Sequence, residues 1–175
     1  MTGHITTGFV HKFGDDVNTD YIISSRDKRD TTDCKILKKR IFADIRPGFF
    51  EKIKPGDILA AGRNFGCGSA MEVAAQVARA AGFHVIIAKS FARSYYRNAM
   101  NNGILLITID TDCLTDGDRV SIDADGSGDL ILSFAHKSGK VNLGRISRVN
   151  EMLYQAGGLI EYVNKYDRLP DSGDC

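Results

Sequence analysis

The stretch DILAAGRNFGCGSAMEVAAQVARAAG, residues 57–82, decides how this chain is built. DILAAG is a short apolar run of strand length, and MEVAAQVARAAG is rich in alanine with helical spacing. Glycines, a cysteine and a serine lie between them. A strand, a glycine turn and a helix start place backbone N–H groups where negative charge is favoured. Either a ligand's oxygen or the protein's own serine can sit there. Ser69 precedes the helical pattern and Glu72 follows three residues later, the S-x-x-E spacing of a capping box. That spacing predicts a helix cap. Gly66 and Gly68 argue for the other role, because a loop whose backbone must come close to a ligand needs them and a cap does not. Nucleotide turns fit poorly. A GxGxxG pattern from Gly66 would need glycine at Met71, and no Lys-Ser or Lys-Thr pair follows.

Outward from this stretch, apolar runs and helical patterns alternate. HVIIAKS (84–90) and GILLITI (103–109) are buried-strand candidates, with Gly82 as a helix stop and Ser90 placed to cap FARSYYRNAMNNG. Strand, helix, strand, helix, strand from 57 to 109 predicts α/β layering on a mostly parallel central sheet. Upstream, ITTGFVHKFG suits an opening strand, and CKILKKRIFADI puts Ile36, Leu37, Ile41, Phe42 and Ile45 at helical spacing before Pro47-Gly48. Downstream, DGDRVSIDADGSGDLILSF predicts an additional β-hairpin and KVNLGRI a further strand. SRVNEMLYQAGGLIEYVNKYDRL is expected to form one helix or two, breaking at Gly157-Gly158, and PDSGDC a frayed tail. No repeat or linker divides the chain, so 1–175 is expected to be one domain with its core over about 5–165.

A formal net charge of +1 gives no bulk electrostatic grip on nucleic acid or a membrane. Neither a signal peptide nor an apolar run of bilayer length is recognisable, so the expected location is the cytoplasm. Cys34, Cys67, Cys113 and Cys175 are scattered, with no CxxC pair and no histidine at metal-finger spacing. They are expected to be reduced thiols, and any metal or cluster is expected on another chain. His4, His11, His84 and His136 form no cluster and receive no role.

NFGCGSAME (64–72), VIIAKSFARSYYRNAMNNGI (85–104), FGDDVNTDYII (13–23) and EMLYQAGGLIEYV (151–163), taken together, resemble the small subunits of 3-isopropylmalate dehydratase and homoaconitase, the swivelling domain of the aconitase superfamily. The resemblance covers about residues 5–165. It implies a swivelling β/β/α domain packed over a separate large subunit, which carries a 4Fe-4S cluster on three cysteines. It also implies stereospecific removal and return of water on a hydroxy di- or tricarboxylic acid. Ser69 then takes the place of the base that removes a proton from a carbon beside a carboxylate. A nest of N–H groups at the helix start would stabilise its alkoxide.

One departure concerns the substrate. The family's GSSRE is Gly68-Ser69-Ala70-Met71-Glu72 in this chain, so Met71 stands where an arginine binds a carboxylate, and a thioether cannot make that bidentate contact. Either another cation serves or the substrate offers an apolar group. SSRDKRDTTD (24–33) falls in the family's specificity loop, and Arg29 is the candidate for a distal carboxylate, with Lys28 and Arg26 as neighbours. A solvated surface is the competing reading of such a charge run. Asp20, in NTD, is expected to hold its turn by side-chain to backbone bonds, and Asp15 and Asp16 to be turn residues. Arg93 and Arg97, four apart, share a helix face that is either salt-bridged or turned to substrate or partner. Cys67 is read as a small packing residue. 3-Isopropylmalate is the leading substrate, with homoaconitase-type and other 2-alkylmalate acids, such as dimethylmalate and citramalate, as alternatives. Rival classes are a non-catalytic module that binds a carboxylate or a protein, and a freestanding enzyme with Ser69 as nucleophile, for which no GxSxG elbow is present.

Overall fold

The computed structural model describes residues 3–29 and 31–171. Most of the tail expected to fray lies outside them. Seven strands form one sheet in the order β4-β3-β2-β1-β5-β6-β7. They are β1 Gly3–Lys12, β2 Ile58–Ala61, β3 Val85–Ala88, β4 Leu105–Thr108, β5 Arg119–Ala124, β6 Leu130–Phe134 and β7 Lys140–Gly144. Strands β1 to β4 pair in parallel, whereas β1/β5, β5/β6 and β6/β7 are antiparallel. The antiparallel part is therefore larger than the expected hairpin: β5 also pairs with β1, and β7 extends the edge. The burial patterns explain the division. β2 and β3 are buried at every residue, as parallel strands covered on both faces are, while β5 alternates.

Alternate residues of the parallel strands enter two cores. Leu59, Ala61, Ile86, Ala88 and Leu106 pack with the helices. Ile58, Ala60, Val85, Ile87, Leu105 and Ile107 join Val120, Ile122, Leu130 and Leu132 of the antiparallel strands. Side chains of both halves thus share one β-on-β core, and the helices cover the opposite face. The helical layer contains α1 Thr19–Ile22, α2 Cys34–Leu37, α3 Glu72–Ala81 and α4 Arg93–Asn101, followed by α5 Arg148–Ala156 and α6 Leu159–Tyr166. The last two break at Gly157-Gly158, as expected.

The apolar spacing over 34–45 does not yield one helix. α2 stops at Leu37, a single 3₁₀ turn follows over Lys38–Arg40, and Phe42 takes a left-handed φ of 54°. The Phe42 N–H donates to Ile22 O at 3.0 Å, and its ring stacks on Phe13 at 4.3 Å. Tertiary partners supply that segment's hydrogen bonds and burial, so the helical periodicity is satisfied without a helix.

Candidate functional site

β1, β2 and β3 deliver their following loops to the same end of the sheet, the carboxyl ends of parallel strands where α/β proteins place their ligands. The glycine loop between β2 and α3 is stitched to both neighbours. Gly62 N–H donates to Gly14 O, Asp16 N–H to Arg63 O, Gly66 N–H to Val17 O and Thr19 N–H to Cys67 O, all at 2.8–3.0 Å. On the other side, Phe65 N–H donates to Ser90 O at 3.0 Å and Ala92 N–H to Phe65 O at 2.9 Å. The parallel ladder thus continues past the strand ends and holds the loop rigid.

Several side chains complete this frame. Asp15 accepts from Arg63 N–H at 2.6 Å, and Asp16 from the Asn64 amide at 2.8 Å, so both aspartates bind the neighbouring loop rather than only their own turn. Ser90 accepts from Asn64 N–H at 2.8 Å. It does not cap α4, whose N-cap is Ala92. Asn18, not Asp20, makes the side-chain to backbone bond of the NTD turn, accepting from Asp20 N–H at 2.9 Å. The Asp20 carboxylate instead accepts from Ser25 Oγ at 2.8 Å. Thr19, buried, donates to Ser69 O at 3.0 Å. Asn18, Thr19 and Tyr95 were not singled out by the sequence reading, although an asparagine just before a short helical turn is a recognisable cap signal. Asn18→Ala is expected to cost about 0.5–2 kcal/mol in thermal unfolding, the usual cost of losing such a cap.

The capping-box expectation for Ser69 and Glu72 is overturned. The N-cap of α3 is Met71, no side chain caps the helix, and Glu72 is its first residue. The Ser69 carbonyl is fixed by Met71 N–H at 2.7 Å and by Thr19, which pulls the chain away from cap geometry. Its hydroxyl is left exposed and makes no hydrogen bond within the described residues. The expected nest of N–H groups therefore does not surround Ser69 Oγ; the uncapped start of α3, two residues further on, is what favours negative charge beside it. Gly66 and Gly68 turn out to serve the chain's own packing. Their φ values are +79° and +91°, and an added Cβ would stand 2.2 Å from Tyr95 Cγ and 2.3 Å from Asn18 Oδ1 respectively. Ala70 is exposed beside Ser69. Burial pushes the Cys67 thiol up, with Asp16 adding to the effect, so the thiol stays protonated at neutral pH.

Within the charged loop residues 25–28 form a turn, and Ser25, Arg26, Arg29, Thr32 and Asp33 are exposed, as the solvated-surface reading expects. Asp27 accepts from Ser24 Oγ at 2.7 Å and pairs with Arg40 at 3.2 Å, while Arg26 pairs with Asp44 at 3.0 Å. The turn brings the Lys28 ammonium against the Met71 sulfur. Arg29 is exposed, and Arg93 and Arg97 are exposed on α4; among the described residues none of the three pairs with a carboxylate. The salt-bridged face expected as one option for Arg93 and Arg97 is thus not found. No group of three or more His, Cys, Asp or Glu among the described residues is placed to hold a metal, so this donor set does not fit an iron–sulfur cluster. Cys34, Cys67 and Cys113 are free thiols, and Cys175 lies outside the described residues. No helix among the described residues is long and apolar enough to cross a membrane.

Ser69 is thus displayed on a loop clamped to both neighbours of an α/β layer, beside the uncapped start of α3 and the Lys28 ammonium. Residues 24–112 match the aconitase C-terminal domain, and the chain belongs to that family. It is 42% identical to the methanogen homoaconitase small subunit of Methanocaldococcus jannaschii over 161 residues, 92% of each chain. Its identity to the 3-isopropylmalate dehydratase small subunit of Thermodesulfovibrio yellowstonii is 41% over 166 residues, 94% of this chain and 96% of that one. The crystal structure of 3-isopropylmalate dehydratase from Methanocaldococcus jannaschii superposes with a TM-score of 0.83 at 39% identity, covering 93% of this chain and 95% of the other. The mixed α/β architecture expected from the resemblance is thereby borne out.

Proposed function

We propose that this chain is the small subunit of an iron–sulfur hydro-lyase that dehydrates and rehydrates a hydroxy di- or tricarboxylic acid. 3-Isopropylmalate is the leading substrate, and homoaconitase-type and other 2-alkylmalate acids are the alternatives. The observation that carries the reading is the Ser69 hydroxyl, exposed and unbonded in a loop whose backbone is fixed on both sides. The names of the relatives, all small subunits of such dehydratases, support the reaction class and a large partner. In this reading the 4Fe-4S cluster is carried by that large subunit. Neither nucleic acid nor a membrane has a place in this reading, and the assembly is expected to work in the cytoplasm.

In this mechanism Ser69 enters as the alkoxide and its Oγ takes the proton from a carbon beside a carboxylate, while the C–O bond on the adjacent carbon breaks as the double bond forms, the hydroxide leaving to the Lewis acid that a cluster on the large subunit would supply. The proton on Ser69 returns in the reverse reaction. The positive end of α3 lowers the energy of the Ser69 alkoxide before the proton transfer. The backbone at Gly68 and Ala70 sets the distance of the acid from the base, and Arg29 meets its distal carboxylate. Arg93 and Arg97 face the substrate or the large subunit.

Mixing the chain with an aconitase-family large subunit from the same organism and following dehydration spectrophotometrically tests the reading. Absence of turnover from a correctly assembled, cluster-loaded pair would favour a non-catalytic binding module. Arg29→Leu is expected to impair an acid with a distal carboxylate at least tenfold more than one with an apolar tail, in kcat/KM. Equal losses on both would assign Arg29 to folding or subunit contact.

A further inference from the structure

We infer that Tyr95 is a positioning residue for the reaction: its ring is the floor beneath the Gly66 turn, and it sets how far Ser69 Oγ reaches. The inference rests on the hydro-lyase reading and deepens it. The bonds that stitch the glycine loop to its two neighbours continue the parallel ladder, so they run between strand ends, along the sheet. They hold the loop sideways. Movement across the sheet, toward the helical layer, is stopped by packing, and what residue 66 meets there is Tyr95. A Cβ at Gly66 would stand 2.2 Å from Tyr95 Cγ, 2.3 Å from its Cβ and 2.7 Å from Cδ2, so the backbone already lies directly on the ring. Ser69 follows three residues later on the same short loop.

The ring cannot move freely. Tyr95 lies in the first turn of α4, is 1% exposed, and stands edge-on to Phe65 at 5.1 Å; Phe65 is in turn edge-on to Phe91 at 6.1 Å. The same end of α4 grips the loop a second time, because the N–H of its N-cap Ala92 donates to Phe65 O at 2.9 Å. One helix therefore ties residue 65 by its backbone and carries residue 66 on a side chain. A close-packed interior yields little, so the support is stiff. The ring does this work without the hydroxyl. Tyr95 Oη is buried and bonds to nothing among the described residues. Burial also pushes the phenol up, so it stays protonated and gives up no proton at neutral pH. What the reaction needs from Tyr95 is the shape of the ring, since misplacing a reacting group by about 1 Å can cost roughly 10²-fold in rate.

The test uses the assembled enzyme with whichever of 3-isopropylmalate, homocitrate, dimethylmalate and citramalate the wild type turns over, well below each variant's melting midpoint. Tyr95→Met replaces the ring by a flexible chain that still fills the core, and Tyr95→Leu shortens it. Whichever of these folds should lower kcat at least about tenfold and move KM little, because the base shifts while the grip on the acid stays. Tyr95→Phe keeps the ring and should keep kcat. Phe83→Leu is the control for lost packing: Phe83 is fully buried in the same helix-side core but precedes β3, at the opposite end of the strands, so it should lower the melting point and spare kcat. In a Ser69→Ala background Tyr95→Met should change the residual kcat by less than about twofold, since the group it acts through is gone. Unchanged kcat in Tyr95→Met and Tyr95→Leu overturns the inference alone. So does a loss that Tyr95→Phe or Phe83→Leu shares, or one that persists in full without Ser69. A cluster-loaded wild type active on none of the four acids removes the hydro-lyase reading and the inference with it.

Discussion

Ser69→Ala in the assembled enzyme is expected to lower turnover by ~10² to 10⁴, the range that a positioned general base contributes. Its stability should stay within about 0.5 kcal/mol of wild type, as for other exposed positions without a structural partner. The two expectations come from one geometry. Had Ser69 capped α3, the alanine would cost about 0.5–2 kcal/mol and leave turnover of the folded fraction unchanged. Met71 occupies the cap position, however, and the Ser69 hydroxyl bonds to nothing in the chain. What fixes the loop is the Ser69 backbone, through Thr19 and Met71, and alanine keeps both bonds. Thermal unfolding of the chain and steady-state dehydration with the large subunit read the two quantities on one variant. An unstable but fully active Ser69→Ala protein would take the serine out of the mechanism.

Gly66→Ala is expected to be the most destabilising single methyl addition in the loop, by about 2–5 kcal/mol. A left-handed φ of +79° is strained for any residue with a Cβ, which accounts for about 1–2 kcal/mol. The new carbon would also stand 2.2 Å from Tyr95 Cγ. Tyr95 is 1% exposed and edge-on to Phe65 at 5.1 Å, so its ring cannot yield without opening the core, an overpacking cost of about 1–3 kcal/mol. Gly126→Ala is the control: no atom lies within 4 Å of its added Cβ and its φ is not left-handed, so its melting point should be unchanged. A Gly66→Ala protein as stable as that control would mean the loop has slack that the hydrogen-bond ladder does not suggest.

Much of this was legible in the residues. The alternation of apolar runs from 57 to 109 identifies β2, α3, β3, α4 and β4, because burial on both faces of a parallel sheet leaves a continuous apolar signature. Gly157-Gly158 marks the break between α5 and α6, since both take left-handed φ values, 92° and 139°. Ser69 stands out through its glycines and the resemblance of its surroundings. The helix over 34–45 was misjudged because its spacing is real while its partners lie elsewhere: Phe42 satisfies Ile22 and Phe13, not the next helical turn.

By itself, then, the sequence determined the elements from 57 to 109, their order and the presence of a serine in a glycine loop, since strand burial, helix periodicity and glycine turns are local properties of a few consecutive residues. The roles within the loop were decided only by tertiary structure. Whether Ser69 caps a helix depends on Thr19, 50 residues away, pulling its carbonyl aside. The glycines owe their need to Tyr95 and Asn18, and the companion of Met71 is Lys28, 43 residues distant. These contacts form only when three strands bring their loops to one end of the sheet, and spacing along the chain does not encode a distance across it.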